Sequence, residues 1–154
     1  MTSQTKIRTG KGEGEAVGIA LLGFGTVGAE VFRLLGENAD AFAHRIGGPA
    51  EIRGVAVQNK NKLRPSVPKD LLTDDAKALV MRDDIDLVVE VIGGIDFPRE
   101  LVLAALNAGK SVVTANKALV AAHADELAEA ADNAGVDLYF EAAVAAAIPV
   151  VGML

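Results

Sequence analysis

Short apolar runs alternate with amphipathic stretches along most of the chain. Each apolar run is bounded by glycine, proline or polar residues, which is typical of a strand buried on both faces of a sheet. The predicted strands are residues 17–22, 52–57, 87–92, 111–114 and 136–140.

Helical periodicity separates these runs. After the first strand, Val27, Val31, Leu34 and Leu35 recur at i, i+4, i+7 and i+8, which gives one apolar helix face. The other predicted helices are residues 39–46, a short helix capped by Asp74 or Asp75, 97–108 and 118–134. Strands separated by helices favour right-handed crossovers, so we predict an α/β fold with a parallel, doubly wound, Rossmann-like sheet. Ligands of such sheets bind at the carboxyl ends of the strands.

A glycine-rich turn joins the first predicted strand to the first predicted helix. Gly23, Gly25 and Gly28 have the spacing of a dinucleotide-binding turn. Gly23 would permit the tight turn, Gly25 would let a pyrophosphate approach the backbone, and Gly28 would let helix and strand pack closely. A glycine turn that serves only packing is the alternative, but the strand–turn–helix context favours a cofactor. The expected cofactor residues of the turn are Gly23, Phe24, Gly25, Thr26, Val27 and Gly28.

Composition narrows the class of protein. The 154 residues suffice for one domain, but are few for a cofactor domain with a complete substrate domain. A hydrophobic share of 51% against 23% charged residues favours a folded α/β protein. The net charge of −6 and the scattered basic residues argue against a nucleic-acid surface. Without cysteine there is no disulfide or thiol chemistry, which is compatible with a cytoplasmic location.

The two ends of the chain differ from its middle. Residues 1–16 are polar and glycine-rich, so we expect a flexible arm and neither a signal peptide nor a membrane anchor. Residues 17–141 form the predicted cofactor domain, and the apolar residues 142–154 would begin a linker into a further domain.

Basic residues follow the second predicted strand. Many NAD-binding domains place an acidic residue there to hold the ribose 2′-hydroxyl. Here Gln58 is followed by Lys60, Lys62 and Arg64. Because these positively charged side chains would bind a 2′-phosphate, we expect NADP(H) to be preferred, with NAD(H) possible. A solvated basic loop is the alternative.

Other polar and glycine residues lie at the later strand ends. Gly93 and Gly94 would pass close to the nicotinamide ribose or simply form a turn. Asn116 would cap a helix or contact the cofactor, and Lys117 would donate to a bound polar group or remain solvated. Glu141 also follows a strand, so its carboxylate would either face the ligand edge of the sheet or cap a helix.

Four segments together resemble homoserine dehydrogenase, especially the actinobacterial type. They are VGIALLGFGTVG (17–28), EVIGG (90–94), GKSVVTANKAL (109–119) and LYFEAAVAAAIPVV (138–151). The segments containing TANK and the stretch from Tyr139 to Pro149 are far more specific than the glycine turn. The family interconverts aspartate 4-semialdehyde and homoserine with NADPH or NADH, in threonine, isoleucine and methionine biosynthesis.

The resemblance implies roles for individual residues. Thr114 and Asn116 would lie beside the nicotinamide half of the cofactor, and Lys117 would contact cofactor and substrate, which makes it the one catalytic candidate. A sodium ion would be coordinated by the Glu141 carboxylate and by three backbone carbonyls, those of Val144, Ala146 and Ile148. The complete enzyme of this family is expected to be a homo-oligomer.

The chain reaches Leu154 where the substrate domain of this family is expected to begin. We therefore expect the chain to supply the cofactor half of the enzyme and to be inactive by itself. Two alternatives remain open: a non-catalytic dinucleotide-binding module, and an inactive fragment.

Overall fold

The computed structural model describes residues 7–140. A six-stranded sheet forms its centre, and every strand pair is parallel. The strands are β1 Val17–Leu22, β2 Ala50–Ala56, β3 Leu72–Thr73, β4 Leu87–Glu90, β5 Ser111–Thr114 and β6 Leu138–Phe140. Their order across the sheet, β3-β2-β1-β4-β5-β6, confirms the predicted doubly wound fold.

Helices cover both faces of the sheet. They are α1 Thr26–Glu37, α2 Ala39–Ile46, α3 Ala76–Val80, α4 Asp96–Asn107 and α5 Lys117–Ala134, with a 3₁₀ turn at Lys69–Leu71. Asp75 caps α3, since its side chain accepts from the N–H of Ala78 at 3.0 Å. The sequence therefore predicted every helix of residues 7–140 except the 3₁₀ turn, with bounds within a few residues.

The strands send alternate side chains into two apolar cores. Ala20 and Leu22 of β1 join the core beneath α3, α4 and α5, whereas Ile19 and Leu21 join the core beneath α1 and α2. All residues of β1 are buried because it lies inside the sheet with both faces covered. No helix of residues 7–140 is long and apolar enough to cross a membrane.

Four strands differ from the prediction. β2 spans Ala50–Ala56 instead of 52–57, and β6 begins at Leu138 instead of residue 136. β3 was not predicted, because its two residues, Leu72 and Thr73, are too few to show a periodic pattern. β4 was predicted to reach Ile92 but ends at Glu90. The N–H of Ile92 donates to the Glu90 side chain at 2.7 Å, which turns the chain out of the sheet.

Residues 7–16 form a strap along the amino edge of the sheet. Ile7 is buried in the core beneath α1 and α2. Arg8 donates through its backbone N–H and its guanidinium to the Asp137 carboxylate, at 2.7 and 2.9 Å. Lys11 lies 3.6 Å from Asp86, and the N–H of Gly14 donates to the carbonyl of Gly47 at 2.8 Å. The described part of the predicted arm is therefore held by these contacts at the strand starts, although residues 10–15 are exposed.

Candidate functional site

The three glycines of the turn after β1 have three different surroundings. Gly23 has a φ of +103°, which favours glycine, and its N–H donates to the carbonyl of Ala56 at 2.9 Å. A Cβ on Gly28 would lie 2.3 Å from the carbonyl oxygen of Gly23, so only glycine lets α1 pack this closely on β1. A Cβ on Gly25 would meet nothing within 4 Å. The open space at Gly25 is where a ligand can approach the backbone.

The start of α1 is suited to an anion. Gly25 is its N-cap residue, no side chain caps it, and its first turn contains no acidic residue. The first N–H groups of a helix lack partners within the helix and lie at the positive end of its dipole. Thr26 and Val27, the first residues of α1, are exposed. Phe24 packs edge-on against Phe32, with ring centroids 5.7 Å apart, and this contact supports the turn.

An open cleft of about 550 Å³ lies beside this turn. Its walls come from the glycine turn and from the ends of β2 and β4; they include Gly23, Phe24, Gly25, Val57, Gln58, Val91, Ile92 and Phe97. The cleft is mainly apolar, and the uncapped helix start adjoins it. An apolar cleft next to a glycine turn fits a dinucleotide, which needs flat surfaces for its rings and N–H donors for its pyrophosphate.

A second cavity of about 520 Å³ is lined by basic side chains. Lys60, Lys62 and Lys69 contribute to it, and Arg64 lines both this cavity and the cleft. The guanidinium of Arg64 donates to the carbonyl oxygen of Asn59 at 2.7 Å, which fixes it within the loop. The structure therefore brings the predicted basic residues together beside the cleft.

One carboxylate also reaches this region. Asp74 lines the cleft, and its carboxylate lies 3.7 Å from the ammonium of Lys60. Sequence reasoning considered Asp74 only as a helix cap, because the short strand β3 that carries it to the cleft was not predicted. Lys60 is thus partly compensated, whereas Lys62 forms no ion pair with any of residues 7–140.

Glycines and buried polar groups meet at the ends of β4 and β5. Gly93 and Gly94 have φ values of +86° and +81°, so they form a turn that glycine favours. Asn116 caps α5 by accepting from the N–H of Leu119 at 3.0 Å, and its amide donates to the Gly94 carbonyl at 2.7 Å. Thr114 is completely buried, and its hydroxyl donates to Glu90 at 2.7 Å.

Lys117 is the first residue of α5 and is exposed. It lies directly after Asn116, at the carboxyl edge of the sheet that also carries the glycine turns. Thr114 is close in sequence, but its buried hydroxyl is occupied by protein partners. Sequence reasoning missed Glu90 at this edge. The available signal was a carboxylate that ends the apolar run Leu87–Glu90.

The expected sodium ligands, Glu141, Val144, Ala146 and Ile148, lie outside the described residues. Within residues 7–140, no group of three or more histidine, aspartate or glutamate side chains is arranged to hold a metal ion.

The strand order and the glycine turn that opens α1 define a dinucleotide-binding domain of the Rossmann class. Comparison with known families narrows this class further. The sequence model described as the NAD-binding domain of homoserine dehydrogenase matches residues 23–141. The chain therefore belongs to the homoserine dehydrogenase family, as the sequence motifs predicted.

Individual relatives agree with this assignment. Homoserine dehydrogenase of Corynebacterium glutamicum is 68% identical over 152 residues, which are 99% of this chain and 34% of that protein. The crystal structure of the Staphylococcus aureus enzyme has a TM-score of 0.77 and 37% identity, over 86% of this chain and 33% of that one. The Thiobacillus denitrificans structure has a TM-score of 0.78 and 40% identity, over 85% and 30%. The chain thus spans about a third of the relatives' length.

Proposed function

We propose that the chain provides the cofactor half of an enzyme that interconverts aspartate 4-semialdehyde and homoserine. The observation that carries this proposal is the turn at Gly23–Gly28, whose open position at Gly25 adjoins an uncapped helix start and an apolar cleft. The names of the relatives supply homoserine, and the family resemblance of the sequence motifs supplies aspartate 4-semialdehyde.

A bound nicotinamide would supply the hydride donor or acceptor for this reaction. The chain's own residues would bind and orient that group. The N–H groups at the start of α1 would hold the pyrophosphate, and the turn at Gly93 and Gly94 would form one wall beside the nicotinamide ribose. Lys117 would donate a hydrogen bond from its exposed ammonium to the substrate or cofactor.

Calorimetric titration with NADP tests the cofactor site. Gly25→Val fills the open space at the turn, and the φ of −79° at this position allows any side chain, so the variant should fold and lose NADP binding. Gly36→Val is the matched control, because Gly36 is an exposed glycine of α1 whose Cβ would also meet nothing within 4 Å. Equal NADP affinity for folded Gly25→Val and the parent would refute the proposed site.

We also propose that the 2′-phosphate of NADP binds beside Lys62 and Arg64. Support comes from the basic cavity that adjoins the cleft and from Gln58, which replaces the acidic residue at the end of β2. Replacing both Lys62 and Arg64 by alanine should lower the affinity for NADP and leave that for NAD nearly unchanged. Lys77→Ala removes an exposed positive charge on α3 and should change neither affinity. A ratio of NADP to NAD affinity that survives the double substitution would contradict the proposal.

Substrate turnover is proposed to need more than residues 7–140. Hydride transfer requires the substrate carbonyl to be held against the nicotinamide, with groups that orient the amine and carboxylate. Lys117 would supply one such contact, which is not enough to orient the carbonyl, the amine and the carboxylate together. We expect the 154-residue chain to bind cofactor and to show negligible homoserine-dependent reduction of NADP. Robust turnover would contradict this expectation and place the remaining catalytic groups within this sequence.

The sodium site at Glu141, the homo-oligomeric state and the cytoplasmic location are proposals that rest on the resemblance or the composition. Comparing thermal unfolding in sodium chloride with that in tetramethylammonium chloride tests the cation. A midpoint that is equal in both salts would argue against sodium binding by this chain.

A further inference from the structure

A completely buried carboxylate ends β4. One oxygen of Glu90 accepts from the Thr114 hydroxyl and the other from the N–H of Ile92, both at 2.7 Å. Among residues 7–140 no cationic side chain forms an ion pair with it. Burying a carboxylate without a counter-charge costs free energy, and well-packed apolar residues commonly do better at such positions. Stability alone therefore gives no reason for a glutamate here.

The hydrogen bonds continue from Glu90 to both neighbouring segments of the candidate site. The Thr114 hydroxyl, which donates to Glu90, accepts from the N–H of Asn116 at 3.0 Å. The Asn116 side chain accepts from the N–H of Leu119 and donates to the carbonyl of Gly94. One continuous network thus joins the end of β4, the turn at Gly93 and Gly94, and the start of α5 with Lys117.

We propose that Glu90 is a positioning residue, which acts through Thr114 and Asn116 to fix the Gly94 turn against the start of α5. Glu90 and Thr114 are both buried, so neither is available to touch a ligand. The residues that they hold, Gly94 and Lys117, are the ones proposed to face the nicotinamide half. The inference therefore rests on the proposed function, and it adds a role for two residues beneath the site.

The hydrogen bonds use both side-chain oxygens of Glu90 as acceptors. The Thr114 hydroxyl donates its proton to one of them, and its oxygen accepts from the N–H of Asn116. A glutamine at this position has one acceptor oxygen. If that oxygen serves Ile92, the amide group faces the Thr114 hydroxyl as a donor and leaves the hydroxyl proton without its partner. Glu90→Gln therefore changes the network with almost no change in shape.

The experiment compares two ligands by calorimetry: NADP, and 2′,5′-ADP, which lacks the nicotinamide half. For Glu90→Gln and Thr114→Val we expect NADP to bind about tenfold more weakly, the change expected when one buried hydrogen bond is lost. The affinity for 2′,5′-ADP should stay at the parent's value, because β2 and the glycine turn after β1 are untouched. Thr114→Ser keeps the hydroxyl and should restore NADP binding.

Ser111→Ala is the matched control. Ser111 is the other buried hydroxyl of β5, at its amino end, where it donates to the Arg8 carbonyl and accepts from the N–H of Asp137 at 3.0 Å. The substitution should lower thermal stability and leave both affinities unchanged. If Thr114→Val fails to fold, Glu90→Gln carries the test.

The outcomes separate the two proposals. Parent-like NADP affinity in folded Glu90→Gln and Thr114→Val would overturn the positioning role and leave the cofactor site intact. Equal loss of both ligands would also overturn it, since that result indicates general damage to the fold. A parent that binds neither NADP nor 2′,5′-ADP would overturn the cofactor site, and the positioning role with it.

Discussion

A carboxylate accepts a backbone hydrogen bond at each end of the β4–β5 strand pair, but the surroundings of the two carboxylates differ. At the amino end, Asp86 accepts from the N–H of Gly18 at 2.8 Å and has Lys11 beside it. At the carboxyl end, Glu90 accepts from the N–H of Ile92 in the same way, without an ion-pair partner among residues 7–140. The strap covers the first end, whereas a cleft opens beside the second.

This difference indicates that the amino end mainly stabilises the fold, whereas the carboxyl end mainly binds ligands. At the amino end, buried polar groups are paired with one another: the ammonium of Lys110 donates to the carbonyls of Val80 and Arg82, and burial lowers its pKa. At the carboxyl end, Val27 and Phe97 remain 46% and 49% exposed, and the helix start has no capping side chain. We conclude that changes at the amino end should mainly alter unfolding, and changes at the carboxyl end should mainly alter binding.

The largest expected effect is a loss of unfolding free energy, which appears when glycines near the two ends of β1 are compared. A Cβ on Gly18 would lie 1.9 Å from the carbonyl oxygen of Asp84, so the backbone must move. Gly18→Ala should lower the free energy of unfolding by about 3 kcal/mol or more in urea titrations. Gly25→Ala, which meets nothing within 4 Å, should change it by about 0.5 kcal/mol at most. Equal stability of the two variants would contradict the described packing.

A smaller effect is expected from apolar side chains at the two ends. Ile7 in the strap is 3% exposed, so Ile7→Ala should cost about 2–3 kcal/mol of unfolding free energy. Val27→Ala at the open end should cost about 0.5 kcal/mol or less, because that side chain is half exposed. If Ile7→Ala leaves the urea midpoint unchanged, the strap does not pack in solution as described.

The smallest effect concerns Arg82 and Asp84, in the turn before β4. The guanidinium donates to this half-exposed carboxylate at 2.8 Å and lowers the pKa of Asp84 below its usual 3.8. A depressed pKa stabilises the fold above the unfolded value, and this contribution disappears as pH falls through the folded value. Asp84→Asn should therefore cost at most about 0.5 kcal/mol at neutral pH, and the difference should vanish in acid.

Asp125→Asn is the control for this pair, because Asp125 is an exposed carboxylate on α5 that forms no ion pair with any described residue. Urea titrations of all three proteins at neutral pH and near pH 3 provide the measurement. A gap between Asp84→Asn and the parent that persists unchanged in acid would show that the charge pair is not its cause.

The sequence predicted local features well. The roles of Gly23, Gly25 and Gly28 follow from their positions between a strand and a helix, because each role depends on a few neighbouring residues. The same holds for Asp75 as a helix cap, and for Gly47 and Gly135, which end α2 and α5 with positive φ.

Features made by distant residues were missed. The strap carries no periodic pattern, and Arg8 and Asp137 are 129 positions apart, so nothing local indicates that they meet. Glu90 belongs to the same group: its partner Thr114 is opposite it only because β4 and β5 pair in that register. The kink at His123 in α5 was also not predicted, because no glycine or proline lies at that position to indicate it.

The strap has a consequence for the order of folding. Its contact between Arg8 and Asp137 closes almost the whole described chain into one loop, and loops of that length are slow and entropically costly to form. We therefore expect this contact to form after β1, β4 and β5 have paired and to contribute little to the folding transition state. On this expectation it acts mainly on the rate of unfolding, so that joining residues 7–16 to the segment before β6 lengthens the lifetime of the native state.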